Sequence, residues 1–224
     1  MLYALGEPVA FAALVISFLL ALVIRAVAVR LTARSFNLID RRESLVPRLR
    51  DDVDPFGAVA AAIGGMGWGK TLSVDEIPRW QGRAKAAMVY AAGPLACIVA
   101  AQPFFLAYAL TATDHMNLLS VLSPSDVLLG IDLPIGDQVL LSFAVGLLCF
   151  GLLALIPIPP LDGFGILWFA VRNPGSGLQW MRLWFEDKNI GVLILLIFCF
   201  FPFGGPLLLI ILNILGVLFV RLWG

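Results

Sequence analysis

The sequence predicts an all-α polytopic membrane protein. Three observations carry that reading. Of the 224 residues, 61% are hydrophobic and only 13% are charged, whereas a soluble globular domain holds about 45–50% apolar and about 25% charged residues. The charges are also unevenly placed, leaving long uncharged runs at 8–24, 86–113, 138–161 and 189–220. Finally, lysine and arginine fall on alternate connecting segments. This composition excludes a disordered chain, which needs low hydrophobicity. A net charge of zero with interspersed acids argues against nucleic-acid binding.

The elements follow in order. A helix crossing a bilayer needs about 20 apolar residues. The first run extends to about 9–31, because Arg25 and Arg30 can snorkel. The next two runs predict spans at about 86–112 and 138–157. The fourth is interrupted by Phe201-Pro202-Phe203-Gly204-Gly205-Pro206, which punctuates a helix strongly. It reads as a hydrophobic hairpin over 189–224, with helices at about 189–200 and 207–222. One long kinked helix is the alternative. A signal peptide is not expected, since Arg25 and Arg30 follow the apolar run instead of preceding it.

The segment 32–84 carries Arg34, Arg41, Arg42, Arg48, Arg50, Lys70, Arg79 and Arg83. The segment 113–137 carries Asp114, Asp126, Asp132 and Asp137 and no Lys or Arg. The positive-inside rule predicts 32–84 as cytoplasmic, 113–137 as an outer loop, the connector 172–188 as cytoplasmic and the N-terminus outside. Cys97, Cys149 and Cys199 lie far apart in apolar stretches and read as small buried hydrophobes.

Three local patterns carry chemistry. In Pro157-Ile158-Pro159-Pro160-Leu161-Asp162-Gly163, the prolines stop the third span and unwind the chain. Unwound backbone at membrane depth is tolerated where it is buried or lines a wet cavity, so Asp162 is a candidate site residue. It could equally be a capping residue in an interfacial turn before a helix at 164–171. The second pattern, Ala92-Gly93-Pro94-Leu95-Ala96, permits close helix approach or a kink. The third is Asp54-Pro55-Phe56-Gly57 followed by Gly64-Gly65-Met66-Gly67-Trp68-Gly69-Lys70. It predicts an extended segment or β hairpin near the interface, without P-loop spacing.

In this order the three patterns resemble the site-2-protease family of intramembrane zinc metalloproteases. The likeness covers about residues 10–170. It implies a site-2-protease-like membrane core over 1–171, with a metal site near the cytoplasmic side and a helix broken at the Leu-Asp-Gly loop. The remnant family motif comprises Asp54, Pro55, Gly57, Gly93, Pro94, Pro157, Pro159, Asp162 and Gly163. Active members carry His-Glu-x-x-His on the first core helix, where two imidazoles bind zinc and the glutamate activates water. The corresponding stretch here, about Val23 to Val27, has neither residue type. The sole histidine, His115, belongs to the predicted outer loop. Cys97 and Ala154 stand where the family pattern has asparagines, and Val53 where it has a histidine before Asp-Pro.

A catalytic zinc needs three protein ligands, and Asp162 alone survives from the set. The chain is therefore expected to be a pseudoprotease with no catalytic residue, no metal and no cofactor. It would act as a scaffold, accessory subunit or regulator. Its expected partners are the lipid bilayer and transmembrane helices of other proteins or of a larger membrane complex. A working protease with ligands supplied by another chain is the alternative. If Asp162 is buried it needs a counter-ion, and Arg25 can supply a guanidinium in place of zinc. Otherwise Arg25 snorkels to the interface alone.

Overall fold

The computed structural model describes residues 6–38, 45–47, 52–77, 79–112, 115–200 and 207–224. The fold is all-α, and no strand occurs among the described residues. Among the described residues, three helices are long and apolar enough to cross a membrane: α1 (Pro8–Ser35), α3 (Arg83–Thr111) and α6 (Ile135–Ala154). The short helices are α2 (Pro55–Gly64), α4 (His115–Val121), α5 (Pro124–Leu129), α7 (Asp162–Ala170) and α8 (Ser176–Met181), the last continuing as a π-helical turn over Arg182–Asp187. Two further apolar helices, α9 (Ile190–Phe200) and α10 (Leu207–Val220), touch one another. The turn expected between them, 201–206, lies outside the described residues.

The three long helices pack together, α3 lying against α1, α6 and α7. Between them the core is made of Leu, Ala, Val and Phe, among them Leu14, Ala21, Phe105, Leu141 and Leu148. A second, smaller cluster joins Val29, Val74, Tyr90, Phe164 and Phe169 where α1 ends and α3 begins. All three cysteines are buried and unpaired.

Several boundaries depart from the sequence reading. The first helix runs to Ser35, and the third ends at Ala154 instead of 157. The stretch read as an extended or hairpin segment contains α2, and pairing is limited to one antiparallel bridge, Val53 with Gly69. Asp54 explains the helix. Its Oδ1 accepts from the amides of Phe56 (2.8 Å) and Gly57 (3.3 Å), which is an N-cap, and Pro55 occupies the first turn, where it costs no hydrogen bond. Gly65 closes the helix in the left-handed conformation.

The 113–137 stretch is also more than a loop. Ser123 and Asp126 form a capping box that starts α5. Leu128 of α5 lines a small cavity with Leu14, Phe18, Met66 and Cys149, so this segment packs among the long helices. The connector 172–188 is likewise largely helical.

Candidate functional site

The site lies where α1, α3 and the Leu-Asp-Gly loop converge. After α6 ends, the chain unwinds through Pro157 to Pro160, then re-enters a helix at Asp162. Leu161 occupies the N-cap, and Asp162 is the first helical residue with no capping bond from its side chain. Its carboxylate therefore remains available to another element. Gly163 packs against the Leu155 and Ile156 carbonyls, a separation that leaves no room for a Cβ.

Arg25 of α1 meets that carboxylate. Its Nε donates to Asp162 Oδ2 at 2.6 Å and one terminal nitrogen donates to Oδ1 at 2.6 Å. The other terminal nitrogen donates to the Lys70 carbonyl at 2.8 Å. Arg25 is 5% exposed and Asp162 2%. Two charges removed from water need mutual compensation and satisfied hydrogen bonds. The fork-to-fork geometry gives both carboxylate oxygens a donor. Gly93 makes the approach possible, since a Cβ there would fall 2.6 Å from Arg25 Cγ. Pro94 follows inside α3, where its carbonyl faces Gly151 of α6.

The third pattern braces the same site. Gly57 and Gly67 allow α2 and the following segment to interleave, because a Cβ on either would meet the other strand of chain. Trp68, 2% exposed, donates from Nε1 to Asp54 Oδ2 at 3.1 Å. Gly69 then passes beside Leu22 and Arg25, and the Lys70 amide donates to the Asp52 carbonyl at 3.0 Å. One turn beyond Arg25, Arg30 donates to both oxygens of Asp52, at 2.8 and 2.9 Å. Arg30 was expected only to snorkel. The second ion pair and the Lys70 carbonyl were missed because neither belongs to a recognisable motif. The Thr71 hydroxyl donates to the Pro160 carbonyl, closing this segment onto the loop.

The remnant motif residues thus fall in several places. Asp162 and Gly93 meet Arg25, and Asp54, Pro55 and Gly57 build α2 and seat Trp68, while Gly163 packs on the Leu155 and Ile156 carbonyls, Pro159 lies against Gly191 and Pro94 against Gly151. Pro157 is exposed. No side-chain geometry is described for His115. Among the described residues, no three of His, Cys, Asp and Glu stand close enough to share a metal ion. The donor set does not fit a catalytic zinc, which needs three protein ligands: both oxygens of Asp162 face a guanidinium, Cys97 adds only one thiol, and Val23, Val27 and Ala154 offer no donor.

Beside the site, a pocket of about 330 Å³ opens between Lys70–Val74, Pro159–Leu161 and Glu186. Glu186 accepts from the Ser73 hydroxyl at 2.8 Å and the Val74 amide at 3.3 Å. Burial pushes its carboxyl above the ordinary value, and those two hydrogen bonds oppose the shift.

No family profile matches the chain, and no solved structure matches it. Among curated proteins it is 26% identical over 161 residues to one named "Putative zinc metalloprotease YwhC" from Bacillus subtilis (strain 168), an alignment covering 72% of this chain and 67% of the relative. That distant similarity supports a relationship to the site-2-protease-like zinc metalloproteases that the ordered motifs resemble.

Proposed function

We propose that this membrane protein is a proteolytically inactive, site-2-protease-like scaffold, accessory subunit or regulator that binds transmembrane helices of partner proteins. The observation that supports the reading is the buried Arg25–Asp162 pair. A cation carried by α1 neutralises the one carboxylate left from the family's ligand set. The pair performs the structural part of a metal's task, tying α1 to the Leu-Asp-Gly loop, and supplies no activated water. In the orientation suggested by the Lys/Arg distribution, this site faces the cytoplasmic side and the N-terminus lies outside.

A second reading, an intramembrane zinc protease completed by ligands from another chain, is favoured only by the name of the distant relative. It requires Asp162 to exchange Arg25 for a metal ion. One purification separates the two. The full chain, extracted from its native membrane in mild detergent, is assayed for zinc and for co-purifying proteins by mass spectrometry. Substoichiometric zinc with a reproducible membrane partner is expected. Stoichiometric zinc that disappears in Asp162→Asn would replace the first reading by the second. Recovery of the protein always alone would remove the accessory role.

A further inference from the structure

The end of the molecule where α1 finishes and α3 begins carries a basic and aromatic patch that the site above does not use. Trp80 is 82% exposed, on the 3-10 turn Arg79–Gln81 before α3. Trp180 and Trp184 of the α8 region are 54% and 42% exposed, and their rings lie 6.2 Å apart. Trp168, at the end of α7, sits between two guanidinium groups, Arg79 at 5.1 Å and Arg182 at 5.6 Å from its ring centre. Four of the six tryptophans therefore collect at one end of the bundle. Tryptophan concentrates at the headgroup level of membranes, where an apolar ring with a polar edge is favoured.

The charges in this patch are unbalanced. Arg79 donates to the Trp168 and Arg172 carbonyls, and its Nε is buried without a hydrogen-bond partner among the described residues. Arg83 lies one turn on, close enough to act electrostatically on Arg79. Neither Arg83 nor Arg172 forms an ion pair among the described residues. Of the acids in this region, Asp75 pairs with Arg182, Glu76 accepts from the Ser73 amide and Glu186 from the Ser73 hydroxyl, and none pairs with Arg79, Arg83 or Arg172 among the described residues. Arginines without an acidic partner at this surface, Arg83 and Arg172, call for an oxyanion. Exposed indoles around it call for a bilayer surface, and this end is continuous with the three spanning helices.

We propose that Arg79, Arg83 and Arg172, framed by Trp80 and Trp168, bind the phosphate of an anionic phospholipid headgroup, with Trp180 and Trp184 seated in the same leaflet. The shared chemistry is a phosphate monoanion with no ammonium group beside it, next to an apolar surface; in phosphatidylcholine the choline cation would meet the arginines as well. A free phosphate ester satisfies the first requirement only, so the two sources can be told apart.

The test uses the full-length protein in a neutral detergent, loaded with equal amounts of phosphatidylglycerol and phosphatidylcholine and read by native mass spectrometry. Phosphatidylglycerol should be retained preferentially. The preference should fall about thirtyfold in the Arg83→Gln/Arg172→Gln double variant, since each basic residue near the surface contributes comparably to anionic-lipid attraction. It should survive in Arg83→Lys/Arg172→Lys. Trp80→Ala should weaken retention of both lipids. Both variants are expected to keep native helicity and elution volume, because the altered side chains bear no intramolecular ion pairs. Equal retention of the two lipids, or an unchanged preference in the glutamine variant, overturns the proposal. Displacement of the lipid by millimolar glycerol phosphate would convert the site into one for soluble phosphates and also overturn it.

Discussion

At the residue scale, Arg25 and Asp162 are most informative when changed together. Removing one partner leaves a charge or a strong hydrogen-bonding group stranded in an apolar interior, a loss of roughly 3–5 kcal/mol for a buried pair. Removing both can cost far less, because the ions and their desolvation disappear together. Arg25→Met and Asp162→Asn should each lower the thermal midpoint in detergent strongly. The Arg25→Met/Asp162→Asn double variant should be more stable than the sum of the singles requires. Strict additivity in that cycle would show that the two side chains are energetically independent. Much of this pair could be read from the chain, because a buried carboxylate demands a cation and α1 carries few. Lys70 could not, since its contribution is a backbone carbonyl, and a carbonyl is the same for every residue type.

At the element scale, α2 shows how a local signal is lost to its neighbours. Asp54-Pro55, taken with the glycines at 57, 64 and 65, reads as part of an extended segment or hairpin. It is equally an N-cap followed by proline in the first turn, and the Ala-Val-Ala-Ala-Ala-Ile stretch after it favours a helix. The capping box Ser123–Asp126 was likewise present as Ser-x-x-Asp and read as loop. The consequence for Asp54 is double duty. Asp54→Ala should remove the cap, worth about 1 kcal/mol, and also orphan the buried Trp68 indole. A red-shifted tryptophan emission with a lower midpoint would report both losses. A lower midpoint with unchanged emission would show that Trp68 keeps its place without Asp54.

Glu186 links the π-helical turn to the segment at 73–74 and gives this region a pH dependence. Its folded carboxyl titrates above the ordinary value because burial disfavours the anion. The folded form therefore holds its proton more tightly than the unfolded chain does. Stability from this group is fully present below the unfolded value, and declines as pH rises from there through the raised folded value. The wild-type midpoint should drop over that interval by more than the Glu186→Gln midpoint does. Identical pH profiles for the two proteins would refute the assignment.

At the scale of the whole molecule, the three long helices were legible because spanning a bilayer imposes a coarse rule, about 20 residues without charge. The packing of 54–69 and 119–130 among those helices was not. Short connecting helices obey no comparable length rule, and their burial is decided by partners distant in sequence, such as Leu128 meeting Leu14 and Met66. The order of the motifs indicated which elements converge. It did not reveal that Ser125 and Asn213 exchange hydrogen bonds, from amide to Oδ1 at 2.8 Å and from Nδ2 to Oγ at 2.7 Å, fastening α10 to α5.

The burial of Cys97, Cys149 and Cys199 makes the folded protein silent toward thiol reagents. A membrane-impermeant maleimide should leave the wild type unlabelled until detergent denaturation exposes the sulfurs. Labelling of the native protein would contradict their burial. The natural chain is thereby its own blank for topology mapping. A cysteine introduced at Asp132 and another at Lys188, both exposed, would each report a single face of the membrane, with no native thiol to remove first.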